Sequence, residues 1–388
     1  MTESGSPAEV LIFIEDPGAA NCVAGLPEAL EERGHSARLT ATSHGADHLQ
    51  RLGSKFDPSG GDAQALLDET GPALVLVGTS ENPDTIGLEL VALARARGIV
   101  SAGFLDGPSN AEHRFRGRTS SPLSFAPDWI AAPEETTQRR YIELGFPPDR
   151  VFVSGHPHFD RVRAVGRELG ARGRDAVRRQ VLAEAPTGRP VVVFLAEISD
   201  SLDPDPLRRG PEYTLHGRGG SDRRTDIVLE EVIDALGEIV PRPYLVLRLH
   251  PKNTDGEFSA YAAEIDHLSR AEPPLEVVYG ADLVIGMTSI LMFEAAILER
   301  PVLSVIPREA EAAWLDSIAI GLTPFVATRR ELREILPAAL AGPLHRLGKP
   351  LDDLISFGAM DRMAGFLAGL LSSDRAGSRD KPWPSRRP

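Results

Sequence analysis

The feature that most constrains this chain is a steady alternation of short apolar runs with segments of helical spacing. Val10 to Ile14 is such a run, Glu15 to Asn21 reads as the loop after it, and Val23 to Arg33 has helical spacing and closes on Gly34, where a helix-ending left-handed residue belongs. Ala37 to Thr42 then completes a βαβ unit. The pattern continues with a strand at Ala73 to Val77, a helix from Ile86 to Arg97 ended by Gly98, strands at Ile99 to Leu105 and Trp129 to Ala132, and a helix from Glu134 to Leu144. Strands this apolar, separated by helices, predict parallel sheets covered on both faces.

After Val151 to Ser154 comes a basic, helical stretch poor in strand residues, which marks a domain junction. A second series follows: strand Val191 to Leu195, a long polar connection to Asp226, helix Ile227 to Ile239, strand Tyr244 to Leu249, helix Phe258 to Leu268 and strand Leu275 to Val278. With 388 residues the chain exceeds one ordinary hydrophobic core. The reading is an α/β protein of two parallel-sheet domains, 1–160 and 187–350, joined by a linker helix over 161–186. A helix over 351–372 is expected to cross back to the first domain, with 373–388 as a disordered tail. The connection from Ser199 to Asp226 is long enough to suggest a lid or a disordered loop.

Residues 281–303, ADLVIGMTSILMFEAAILERPVL, are the most apolar part of the chain. A membrane span needs about 20 apolar residues, and two glutamates and an arginine interrupt this one. Its period gives a strand at Leu283 to Ile285, a turn at Gly286 to Ser289, a helix at Ile290 to Glu299 and, past Pro301, another strand. Ligands of open parallel sheets bind beyond the carboxyl ends of the strands, and a helix N-terminus favours phosphate, so Thr288 and Ser289 form a candidate diphosphate site. Glu294, further along the helix, can accept both hydroxyls of a ribose. The plainer alternative is that the two hydroxyls cap the helix and Glu294 pairs with a cation.

Other loops after strands carry further candidates. Arg248, His250 and Lys252 alternate to one side after the strand from Tyr244, giving donors for a diphosphate if that strand neighbours the turn. Glu197 ends the strand from Val191. Asp16 serves either as a general base or as a helix cap, and the small residues around it, Gly18 among them, let a ligand approach the backbone. The loop from Asp106 to Arg116, with His113 and Arg114, is dense in ionisable groups. His156 and His158 have metal-like spacing but no third ligand in a recognisable motif, so a turn shaped by Gly155 and Pro157 is preferred and no metal is expected. GxGxxG is absent from the first loop.

Net charge is −14, from 42 basic and 56 acidic residues, which argues against general affinity for nucleic acid or anionic membranes. The single cysteine, Cys22, rules out an internal disulfide and reads as a buried small side chain. MTESGSPAEV lacks a signal-peptide pattern, and a cytoplasmic location is expected. Self-association as a homodimer stays open.

The run ADLVIGMTSILMFEAAILERPVL resembles the nucleotide-binding segment of GT-B fold glycosyltransferases and of the related UDP-N-acetylglucosamine 2-epimerases. There a hydroxyl-bearing turn holds diphosphate and a glutamate in the next helix holds ribose. RLHPK, VSGHPHFD and FLDGPSNAEHRF are similar to segments of bacterial polysaccharide-biosynthesis members of that superfamily. The resemblance implies two Rossmann-like domains facing a cleft, and a metal-independent enzyme with a nucleotide diphosphate sugar as substrate and no cofactor. It implies that Glu197, Arg248, Lys252, Met287 (through its backbone), Thr288, Ser289 and Glu294 bind the nucleotide sugar. Asp16, Asp106 and His250 become the catalytic candidates, with Gly18, Asn21, His113, Arg114 and His156 lining the cleft. The epimerases carry Gly-Gly after the turn serine, where this chain has Ile290 and Leu291, so transfer to an acceptor is preferred to epimerisation.

Overall fold

The computed structural model describes residues 9–79, 82–107, 110–198, 205–254, 256–342 and 350–375. They form two compact units: one takes in the chain up to Asp160 together with the residues from Ile355 on, and the other runs from Arg161 to Leu354.

The first unit is built on seven strands, β1 (Val10–Ile14), β2 (Ala37–Ala41), β3 (Asp57–Pro58), β4 (Leu74–Gly78), β5 (Val100–Phe104), β6 (Trp129–Ala132) and β7 (Val151–Val153). All pair in parallel, in the order β3-β2-β1-β4-β5-β6-β7. Every residue of β1 and β4 is buried, which is what a parallel sheet covered on both faces demands. At the end of β4, a Cβ on Gly78 would stand 2.5 Å from the Ala19 Cβ and 2.9 Å from the Ile14 Cγ2, so the helix Pro17–Val23 lies this close to the sheet only over glycine. The loop expected at Glu15 to Asn21 is therefore mostly helix. Pro17 sets the helical φ at its first position, and a second helix, Leu26–Glu31, follows in place of one continuous helix from Val23.

The C-terminal helix, Ala359–Arg375, belongs to this first unit. Met363, Ala364, Leu367 and Leu371 enter the same core as Val10, Leu26 and Leu30. Phe366 stacks on Phe152 with ring centroids 4.5 Å apart, and Asp160 accepts the N–H groups of Gly358 and Met360 at 2.7 and 3.0 Å. The single helix expected over 351–372 is two, Leu351–Leu354 and Ala359–Arg375, parted where Gly358 takes a φ of +83°. The expected tail from 373 onward lies, past Arg375, outside the described residues.

The second unit has six parallel strands, β8 (Val191–Leu195), β9 (Tyr244–Arg248), β10 (His267–Ser269), β11 (Leu283–Gly286), β12 (Val302–Val305) and β13 (Phe325–Val326), in the order β10-β9-β8-β11-β12-β13. Two expectations are exchanged here. The helix expected at Phe258 to Leu268 is a short 3-10 turn, Ser259–Tyr261, followed by β10, and the strand expected at Leu275 to Val278 is part of the helix Pro274–Gly280. A run of four apolar residues does not separate helix from strand by period, and Pro273 and Pro274 start a helix as readily as they end a strand.

The stretch expected to be a linker helix comprises the helices Pro157–Arg172 and Arg174–Val181. The second is tied into its unit by Arg174 and Arg178, each 2.9 Å from Asp282, and by the Arg178 Nε donating to the Gly280 carbonyl at 2.6 Å. Of the polar connection after β8, residues 199–204 lie outside the described residues. The rest contains a 3-10 turn, Asp205–Leu207, and runs into a helix that begins at Arg224, one turn earlier than expected.

Candidate active site

In the second sheet, the strands β8 and β11 lie side by side while the chain leaves them in opposite directions along the sheet, toward β9 and toward β12. That reversal is where open α/β sheets bind ligands. Glu197 stands just beyond β8 and Thr288 just beyond β11. The Glu197 Oε1 accepts the Thr288 N–H at 2.6 Å, and its Oε2 accepts the Thr288 hydroxyl at 3.0 Å and Arg224 Nη1 at 2.7 Å.

Arg224 is 1% exposed and its other face is held by Glu311, 0% exposed, through Nε at 2.7 Å and Nη2 at 2.5 Å. Burial works against the Arg224 charge, and Glu197 and Glu311 more than offset it, so its pKa is raised. Trp314 lies over this guanidinium at 5.4 Å and over Arg308 at 5.3 Å. Arg308 in turn donates to Glu311 at 2.8 Å and to Glu212 at 2.6 Å.

This network revises the expected site. Glu197, expected to hold the nucleotide sugar, gives both carboxylate oxygens to Thr288 and Arg224. Arg224 and Glu311 were not among the sequence candidates; an arginine opening a helix whose other charged residues are all acidic was the one local signal. Ser289 caps the helix Ile290–Ile297, its hydroxyl accepting the Leu291 N–H at 3.3 Å. Met287 is buried and its carbonyl accepts the Ser304 hydroxyl at 2.5 Å. Glu294, one turn into the helix and 7% exposed, lends its charge to Arg161, whose pKa burial lowers.

The basic residues after β9 divide. β9 does not neighbour β11, because β8 lies between them. Arg248 donates to the Ser269 hydroxyl at 3.0 Å and to the Glu272 carbonyl at 2.7 Å, which commits it to the β10 edge and not to the turn at Thr288. Burial lowers its pKa, with Glu272 opposing. The His250 Nδ1 accepts the Lys252 N–H at 3.2 Å, an arrangement that leaves the ring proton on Nε2. Burial and Lys252 depress the His250 pKa while Glu197 raises it, so the ring is neutral near pH 7.

The corresponding reversal in the first sheet falls between β1 and β4. Asp106, after β5, accepts Arg114 Nη1 at 2.7 Å, and the same nitrogen donates to the Thr79 hydroxyl at 2.9 Å. Arg114, expected to face a cleft, is thus a buried partner of Asp106. Gly18 packs its backbone against this carboxylate, where a Cβ would overlap the Asp106 Oδ2. Asp16 precedes the first helix without a capping bond from its side chain, and Asn21, on that helix, has its Oδ1 2.7 Å from the His48 Nε2. His113 is 3.9 Å from Glu112. His156 stacks on Phe159 at 4.3 Å and has its Nδ1 3.7 Å from the Cys22 Sγ, whose thiol pKa is pushed up by burial and then by Asp106. Glu15, not among the sequence candidates, has its pKa raised to about 7, by burial first and by Asp16 second. Among the described residues no group of three or more His, Cys, Asp or Glu is placed to hold a metal ion, and no helix is long and apolar enough to cross a membrane.

No family model matches the chain, and no curated protein does. Solved structures do. The UDP-GlcNAc 2-epimerase of Neisseria meningitidis bound to UDP-GlcNAc superposes with a TM-score of 0.61 at 15% identity, over 94% of this chain and 99% of that one. The UDP-GlcNAc 2-epimerase of Methanocaldococcus jannaschii gives 0.65 at 14% identity, over 93% and 99%. Anabaena HepE in complex with UDP and glucose gives 0.53 at 12% identity, over 96% and 99%. The fold is GT-B. The likeness runs through both units and nearly the full length of each neighbour, so the GT-B assignment covers both Rossmann-like parallel sheets and the C-terminal helix that returns to the first of them.

Proposed function

We propose that this chain acts on a nucleotide diphosphate sugar and transfers the sugar to an acceptor nucleophile. The observation that carries the reading is the start of the helix Ile290–Ile297 at the reversal point of the second sheet, with Ser289 at its cap and Glu294 buried one turn inside. N–H groups and the dipole of that helix start suit a diphosphate, and a buried carboxylate suits the two ribose hydroxyls. In this reading Glu197 and Arg224 hold the Thr288 turn in place and do not touch the ligand, while Lys252 adds an exposed cation. As the bond from the anomeric carbon to the diphosphate oxygen breaks, charge grows on that oxygen, and preformed donors at the helix start stabilise it. The acceptor is assigned to the reversal point of the first sheet, near Asp106.

The neighbours bound to UDP-GlcNAc and to UDP with glucose support a uridine nucleotide as the first donor to try. Their likeness equally favours a second reading, epimerisation of a UDP-sugar, which needs no acceptor. Ile290 and Leu291 in place of two glycines weigh against it. Incubation with UDP-GlcNAc or UDP-glucose separates the readings: release of UDP only with acceptor supports transfer, and isomerised sugar without acceptor supports epimerisation. Full turnover in EDTA is expected. No heat of binding with any nucleoside diphosphate would sink both.

A further inference from the structure

Trp314 ends the 3-10 helix Glu309–Trp314, in the segment that follows β12, and β12 neighbours β11 in the second sheet. The side chain is 42% exposed, yet its ring is held by a built set of contacts. The Arg224 guanidinium lies 5.4 Å from the ring centroid and that of Arg308 5.3 Å, and both arginines are bound by the one buried carboxylate of Glu311. Arg308 is further tied to Glu212 and to the Pro206 carbonyl, each at 2.6 Å, and lies 5.2 Å from the Tyr213 ring. Arg224 links this group to the candidate site. Its Nη2 donates to the Thr288 hydroxyl at 3.2 Å, so a single guanidinium stands between the indole and the turn that opens the helix Ile290–Ile297. All of these residues belong to the second unit.

Charge decides what this group can offer a ligand. Arg224 and Arg308 are matched by Glu197, Glu311 and Glu212, so the two cations are already neutralised. What is left is an uncharged, flat, partly open ring. Small-molecule sites join a few polar anchors to an apolar or aromatic wall. In the arrangement put forward above the anchors are the helix start and Glu294, and Trp314 supplies the wall. A hexose suits such a surface: one face of its ring presents C–H groups with the hydroxyls around the edge, and stacking on a large flat side chain gathers many dispersion contacts. The nucleoside has its own anchor, because the ribose goes to Glu294 one turn inside the helix, whereas Trp314 reaches Thr288, ahead of that helix, through Arg224.

We propose that Trp314 is the platform on which the sugar of the donor stacks, and that it sets the preference for a sugar nucleotide over the free nucleotide. The proposal rests on the reading of the second unit as a sugar-nucleotide site and names the side chain that recognises the sugar. Glu311 acts behind it as a positioning residue, since it fixes both guanidiniums that lie against the ring.

Titration calorimetry compares wild type with Trp314→Leu, which keeps an apolar side chain and loses the ring, and with Trp314→Phe, which keeps a ring. UDP affinity is expected to stay within about twofold in all three, while affinity for UDP-GlcNAc or UDP-glucose falls by about tenfold in Trp314→Leu and by less in Trp314→Phe. Unchanged affinity for both UDP-sugars in Trp314→Leu overturns the platform. Equal losses for UDP and UDP-sugar overturn it as well, since the ring then serves the nucleotide or the fold. Intrinsic fluorescence reads the same contact in the wild type: a UDP-sugar should change the tryptophan emission beyond what UDP does, and that excess should vanish in Trp314→Phe, where the other two tryptophans remain. No excess in the wild type, or an excess that survives in Trp314→Phe, sinks the assignment. Absence of UDP binding in the wild type instead brings down the sugar-nucleotide reading, and the platform with it.

Discussion

The Thr288 N–H donates to the Glu197 carboxylate across 2.6 Å, and this bond joins the exit of β8 to the exit of β11. Behind it, Arg224 is buried between Glu197 and Glu311. Removing one member of such a network leaves a buried charge undercompensated. Glu197→Ala should therefore destabilise the protein by about 3–5 kcal/mol in chemical denaturation, and Glu197→Gln, which keeps an acceptor for Thr288, by less. Equal stability of Glu197→Ala and wild type would show that the network is not structural.

Glu294→Ala should weaken nucleoside diphosphate binding by roughly tenfold or more, since two hydrogen bonds to a charged group are lost. Titration calorimetry measures it. Unchanged affinity removes Glu294 from the site and leaves it a buried neighbour of Arg161.

Gly78→Ala puts a methyl group 2.5 Å from the Ala19 Cβ, between two pieces of backbone-borne structure that have no flexible side chain to yield. Overpacking of this kind costs about 1–3 kcal/mol. A melting temperature equal to wild type would mean that the helix Pro17–Val23 slides freely on β4.

Leu367→Ala tests whether the C-terminal helix is part of the first unit's core. Leu367 is fully buried there, and truncation should cost about 2–5 kcal/mol. Trp129, 5.8 Å from Phe366, offers a fluorescence reporter of that unit during unfolding.

The raised Glu15 value makes stability fall with pH. The folded state holds the proton more tightly than the unfolded chain, so the contribution is fully present below 4.5 and is lost as pH rises through about 7. Glu15→Gln should gain on wild type by about 1 kcal/mol between pH 5 and pH 8, a figure reduced for the partial exposure of the side chain. Parallel denaturation curves across that range would show that Glu15 is solvated.

How much of this protein is legible without coordinates follows from the range of the forces involved. Apolar periodicity is a local property, and it located most strands of the two sheets, though not β3, β10 or β13, the helix closed by Gly98, and the turn at which Ser289 caps the helix of Glu294. It failed where the run was short, as at Leu275 to Val278, or where proline opened a helix inside an expected loop, as at Pro17. Strand order lay beyond it. Because β8 sits between β9 and β11, Arg248 belongs to Ser269 and Glu272, and the turn at Thr288 receives Glu197 instead. Arg224 finds Glu197 27 positions away and Glu311 87 positions away. The sequence by itself determined the elements and the parallel α/β class, because those depend on neighbours along the chain. Only the tertiary structure decided which charges meet, because a buried ion takes whatever partner the order of the strands brings within reach.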